Sequence, residues 1–177
     1  VRNRSWPNLL VLAVAGATAL AQVIVYFTYG RSTQSAGFAA APKIYLERGV
    51  GIDFPWTRFS VLRDGFGDKE FLFHVLLMPF AAFDDPNAGG LLAVAILNAA
   101  VATAIAGLAV AAVGPWGYAV PVLLFATSAN FAIRLISLRP ESLSLLLLLA
   151  GAAAAARRKA ALLGAIAALY ALSYTGF

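Results

Sequence analysis

The chain has 177 residues, of which 62% are hydrophobic and only 12% charged, with a mean hydropathy of +0.83. A soluble domain of this length carries roughly twice that share of charge, and so much apolar surface needs lipid as its solvent, which excludes a soluble enzyme. The net charge of +5 does not mark a nucleic-acid binder, because the basic residues form no stripe or patch.

The first apolar run, LLVLAVAGATALAQVIVYFTY from Leu9 to Tyr29, holds 21 residues without a charge. As a helix it is about 31 Å long, enough to cross a bilayer and longer than the apolar core of a secretory signal. Arg2 and Arg4 before it orient its N-terminus to the cytoplasm. Residues 30–70 follow as the one sizeable polar region, with 11 of the 21 Lys, Arg, Asp and Glu residues. Its segments KIYLERG and FPWTRFSVL suit short helices in the membrane interface, with Tyr45, Phe54, Trp56 and Phe59 at headgroup depth. Pro42 and Pro55 are expected to break this loop into pieces.

Five further apolar segments are expected at Phe71–Phe83, Leu91–Val113, Tyr118–Ala132, Ser142–Ala156 and Ala160–Tyr174. Their Ala, Gly, Leu and Val content suits close helix packing in lipid. The basic triplet Arg157, Arg158 and Lys159 reads as a cytoplasmic flank, so an even number of crossings should separate it from Arg2 and Arg4. Phe71–Phe83, at 13 residues or roughly 20 Å, is the segment expected not to cross. The charged loop and RLISLRPES then share the extracytoplasmic face. The fold class is therefore all-α: a polytopic membrane bundle forming one transmembrane domain over residues 1–177. It comprises a first span (1–29), a long extracytoplasmic loop with interfacial helices (30–70) and further membrane helices (71–177). The chain ends within an apolar run and is expected to continue.

Two constellations could carry chemistry. Arg63, Asp64, Asp68, Lys69, Glu70 and His74, the single histidine, gather where an apolar segment begins. Glu70 and His74 stand at i, i+4. A carboxylate there can act as general base toward a hydroxyl, and Lys69 can meet a lipid phosphate. The same charges also suit a plain helix start, where acidic side chains favour the dipole. Arg134, Arg139 and Glu141 stand at the mouth of a leucine-rich helix opened by Pro140. An interfacial ion pair of little weight would account for Arg139 and Glu141 equally well. Asp84 and Asp85 before Pro86 read as turn and cap residues. With no cysteine, disulfides and thiolate metal sites are excluded. Carboxylate oxygens suit magnesium or manganese, but no spacing here calls for a divalent cation, and no metal ligand is assigned.

Three stretches carry a family resemblance: the first span with its long polar loop, DKEFLFHVLLMPF, and SLRPESLSLLLLLAGAAAAARRKAALLGAIAALYALSYTGF. Together they resemble the N-terminal part of GT-C-type integral membrane glycosyltransferases, close to the protein mannosyltransferase and lipid A aminoarabinose transferase group. The resemblance implies transfer of a sugar from a polyprenyl-phosphate carrier to a glycan, lipid or protein acceptor at the extracytoplasmic face of a bacterial inner membrane. A loop carboxylate would deprotonate the acceptor and basic residues would hold the lipid phosphate. Such proteins place an aspartate soon after the first span, whereas here Ser35, Ala36 and Ala39 occupy that area and no acidic residue precedes Glu47. Either such a member is catalytically impaired, or the roles pass to Asp68 as base, Glu70 as its partner and Asp53 in reserve, with Lys69 and Arg139 toward phosphate. Arg63, His74 and Glu141 would contact substrate. The alternative is a non-catalytic polytopic protein, either a transporter fragment or an assembly subunit.

Overall fold

The computed structural model describes residues 36–50 and 67–174, residue 59, and scattered positions between residues 9 and 24. Positions described in the first apolar run, from Leu9 to Ile24, are helical. The remainder of the expected first span and the calls on Arg2, Arg4, Asp53, Phe54, Pro55, Trp56, Arg63 and Asp64 lie outside the described residues. Among the described residues every regular element is helical, without a strand.

Seven α-helices follow in order. They are α1 (Ala36–Arg48), α2 (Phe71–Ala81), α3 (Pro86–Val113), α4 (Ala119–Thr127), α5 (Ala129–Ile136), α6 (Glu141–Ala156) and α7 (Ala160–Ser173), with a 3-10 turn at Gly114–Tyr118 between α3 and α4. Helix α1 runs through Pro42 rather than breaking there as expected. Pro42 is fully buried where α1 packs on α2, and that tertiary contact offsets the lost backbone bond.

Among the described residues, the apolar run Ala88–Thr127 alone is long and hydropathic enough to cross a membrane by length and composition. It is not one rod. Gly114 takes φ 68°, the left-handed region open to glycine, and a Cβ on Gly117 would collide with the backbone of Ala109 and Val110. The chain therefore folds back on the end of α3, and α4 and α5 return beside it. Ser128 separates α4 from α5: its backbone is extended and its hydroxyl caps α5 by accepting from Phe131 N at 3.3 Å. The sequence pattern merged these two helices into a single apolar segment.

Helices α2 and α3 form a tight hairpin through the Phe83–Asp85 bend. Gly89 sits so close to Phe80 that a Cβ would strike the Phe80 carbonyl. Phe73, Leu77, Ala93, Val94, Leu97, Leu138 and Leu143 form the buried core, with Phe80 and Leu147 against it. Helix α6 packs along α3 with its first turns at the start of α2, and α7 folds back onto α6 and α2. Helix α2 is 11 residues and about 16 Å long, against a hydrocarbon core of about 30 Å.

Candidate functional site

Helix α2 has Glu70 as its N-cap, yet the Glu70 side chain makes no cap bond. Capping passes to the turn before it, where Asp68 Oδ1 accepts from Glu70 N at 2.9 Å. His74 lies one turn into α2, with its amide on the Glu70 carbonyl at 3.0 Å. Helical side chains lean toward the N-terminus, so its imidazole reaches back over that turn. Its Nδ1 stands 2.7 Å from Asp68 Oδ2 and its Nε2 3.9 Å from Glu70 Oε2. From α1, the Tyr45 hydroxyl donates to the same Asp68 Oδ2 at 2.5 Å. The side chains of Asp68, Glu70 and His74 are 6, 8 and 7% exposed.

The two carboxyls are driven in opposite directions. Burial alone would raise Asp68, but the bonds from His74, Tyr45 and the Glu70 amide outweigh it and hold this carboxyl below its ordinary value. An ionised carboxylate can only accept, so His74 Nδ1 carries a proton and Nε2 is the nitrogen turned toward Glu70. Glu70 is raised, first by burial and then by the negative charges of Asp68 and Glu141, against the opposing pull of Lys69 and His74. The Tyr45 hydroxyl is raised by burial and by the Asp68 carboxylate it serves. It therefore remains a donor across the physiological range.

A second part comes from the start of α6. Arg139 Nη1 lies 3.9 Å from Glu141 Oε1, with the arginine side chain half exposed. Glu141 Oε2 and Ser144 Oγ are buried without a hydrogen-bond partner among the described residues. Beneath them, the fully buried Asn98 of α3 donates through Nδ2 to Leu135 O at 2.5 Å and accepts from Ser142 Oγ at 3.4 Å. Asn98 thereby pins the α5–α6 connection to the middle of α3.

The arrangement brings together Asp68, Glu70 and His74, sets Glu141 within electrostatic reach of Glu70, and leaves two cations at the rim. Lys69 is 73% exposed and 3.9 Å from Glu70. Arg134 is exposed, and Asp84 and Asp85 stand at the other end of α2. Asp53 and Arg63 lie outside the described residues. Among the described residues, no group of three His, Cys, Asp or Glu side chains is disposed to hold a metal ion, so no step is routed through a divalent cation.

Sequence reasoning missed Tyr45, Asn98, Ser142 and Ser144. Tyr45, expected at headgroup depth, is buried against His74 with ring centroids 6.4 Å apart. Nothing local in KIYLERG signals that inward turn. Asn98 could have been found, as an amide in the middle of an otherwise apolar run needs an internal partner. Comparison with known proteins returns no match: no family model, no curated protein and no solved structure is similar to this chain.

Proposed function

We propose that this chain is the multi-pass membrane portion of a transferase. It moves a sugar from a polyprenyl-phosphate donor to a hydroxyl of a glycan, lipid or protein acceptor at the extracytoplasmic face, in a bacterial inner membrane. Support for the membrane part comes from the surface. Leu76, Leu92, Ile96, Leu123, Leu148, Leu162 and Leu169 are among many large apolar side chains turned outward, which in water would form adhesive patches. Of the helices too short to cross alone, α2 and α6 pack against α3, and α7 packs against α6 and α2, as parts of one bundle.

The observation that carries the chemistry is the buried Asp68–His74–Glu70 group rimmed by the exposed cations Lys69 and Arg139. Asp68 takes three internal bonds that hold it ionised with lowered proton affinity, so it acts as a positioning residue for His74. Glu70, with its raised proton affinity, is the general base. In the step, Glu70 takes the acceptor hydroxyl proton and the acceptor oxygen bonds to the sugar C1. The bond from C1 to the phosphate oxygen breaks, and the negative charge on the departing lipid phosphate is met by Lys69 and Arg139. The unpartnered Glu141 Oε2 and Ser144 Oγ offer acceptor and donor to sugar hydroxyls.

The test is transfer from a labelled polyprenyl-phosphate sugar pool in membranes carrying the full-length protein. Glu70→Gln should abolish transfer, and Lys69→Gln with Arg139→Gln should raise KM for the donor. Undiminished transfer by Glu70→Gln at equal expression would refute the assignment. One observation favours the alternative of a non-catalytic transporter fragment or assembly subunit: the bonds Asp68 accepts are internal, and those from Tyr45 and His74 fasten α1 to α2. Absence of transfer across several donors, with the protein intact, would select that reading.

A further inference from the structure

We infer that the cleft between α6 and α7, with the turn that joins them, binds one anionic phospholipid. An acyl chain lies in the cleft and the headgroup phosphate meets Arg157, Arg158 and Lys159. The inference rests on the membrane placement but not on sugar-transfer chemistry.

The cleft is about 390 Å³, lined by Leu147, Gly151, Ala155, Leu163, Ile166 and Tyr170 among others, and open on one side. That volume falls within the range of small-molecule sites, ~300–1,000 Å³. Gly151 lies in its floor, where its missing side chain leaves room: a Cβ there would make ordinary contacts, 3.6 Å from Ile166 and 3.7 Å from Leu163. Ala155 precedes Arg157 by two residues, and Leu163 follows Lys159 by four. The lining of the cleft therefore reaches to within two residues of the basic turn.

That turn is built in an unusual way. Lys159 N donates to Ala154 O at 3.0 Å and Arg158 N to Ala155 O at 2.9 Å, which is the bond pair of a Schellman helix ending. The position after the cap in this motif takes a left-handed backbone and is usually glycine. Here it is Arg158, with φ 54°, the one non-glycine residue with positive φ among the described residues. The local fold would be served better by glycine, so the arginine answers a need outside the turn. All three cations are exposed, and none has an ion-pair partner among the described residues. A free phosphate would meet the cations and leave the cleft empty. A neutral lipid would fill the cleft and ignore the charges. An anionic diacyl lipid complements both.

The test uses the full-length protein, delipidated in neutral detergent and offered phosphatidylglycerol or phosphatidylcholine, with bound lipid counted by native mass spectrometry. The native chain should retain phosphatidylglycerol preferentially. A basic residue at an anionic headgroup contributes about fivefold, so Arg157→Gln/Arg158→Gly/Lys159→Gln should lose on the order of a hundredfold in preference. Arg158→Gly alone should lose about fivefold while its Tm rises, a pairing that a merely structural arginine would not give. Ala155→Leu, filling the cleft, should lower retention of both lipids. Equal retention of the two lipids by the native chain, or an undiminished preference in the triple variant, would overturn the inference. So would Ala167→Cys protected from thiol reagents without lipid, or cross-linking to a second copy, since the cleft would then belong to protein. Carbonate-resistant membrane association alongside failed lipid preference would remove this inference and leave the transferase reading untouched.

Discussion

Asp68→Asn preserves shape but not acceptor count. The carboxylate accepts from Tyr45 at 2.5 Å, His74 at 2.7 Å and the Glu70 amide at 2.9 Å. Asparagine has one carbonyl oxygen, and if that oxygen serves Tyr45 and His74, its amide NH₂ confronts the Glu70 N–H. One buried donor is then orphaned, at about 1–3 kcal/mol, and two charge-assisted bonds become neutral ones, at roughly half their strength. The expected sum is ~2–4 kcal/mol. A chain of this size loses about 2–4 °C of Tm per kcal/mol, so the melting temperature in detergent should fall by roughly 5–15 °C. Tyr45→Phe removes one donor and leaves Asp68 two others, so it should cost about 1 kcal/mol. The double variant should be less destabilised than the sum, with a coupling of about 1 kcal/mol, because the two groups share one bond. The assay is thermal unfolding of native, single and double variants followed by circular dichroism. A Tm for Asp68→Asn within about one degree of native, or strictly additive losses, would show that the latch between α1 and α2 does not form.

Three other outcomes follow from the same geometry. Glu70 is raised above its ordinary value of 4.5, so the folded state holds that proton more tightly and the resulting stability is lost as pH rises through the folded value. Tm of Glu70→Gln minus Tm of the native chain should therefore grow between pH 4.5 and 8, whereas Asp68, lowered from 3.8, acts in the opposite sense and only below that range. Asn98→Ala strands the Leu135 carbonyl and the Ser142 hydroxyl and should cost about 2–3 kcal/mol, read as a lower midpoint in detergent-induced unfolding. Gly117→Ala drives a methyl into the Val110 backbone and should abolish the monodisperse species in size-exclusion chromatography, while Gly107→Ala, in open space, should leave it intact.

The helices were legible where one physical signal governed them. Uninterrupted apolar runs located α2, α6 and α7 to within a few residues, and Pro140 stood at a helix start as expected, whereas α3 begins at Pro86, before the expected Leu91. The failures came where tertiary contact outweighed local preference. Pro42 stays within α1 because burial against α2 compensates its missing bond. Ser128 divides an apolar segment that composition alone could not divide. Of the site, the i, i+4 relation of Glu70 and His74 followed from helix geometry. The role of Asp68 did not, since it depends on Tyr45, 23 residues away, and no local pattern encodes so distant a partner. The lowered proton affinity of Asp68 and the raised one of Glu70 shift the proposed base to Glu70.

The central claim is a membrane-embedded bundle with its chemistry at one face and its basic turn at the other. The chain has no cysteine, so single thiols report position without background. Lys69 and Arg158 are both exposed, and helix α6 separates their levels by about 24 Å. The direct measurement is labelling of Lys69→Cys and Arg158→Cys by an impermeant maleimide, in intact cells and in opened membranes. Labelling of Cys at position 69 from outside, and of position 158 only after opening, is the predicted result. Equal labelling of both positions from one side would contradict the account.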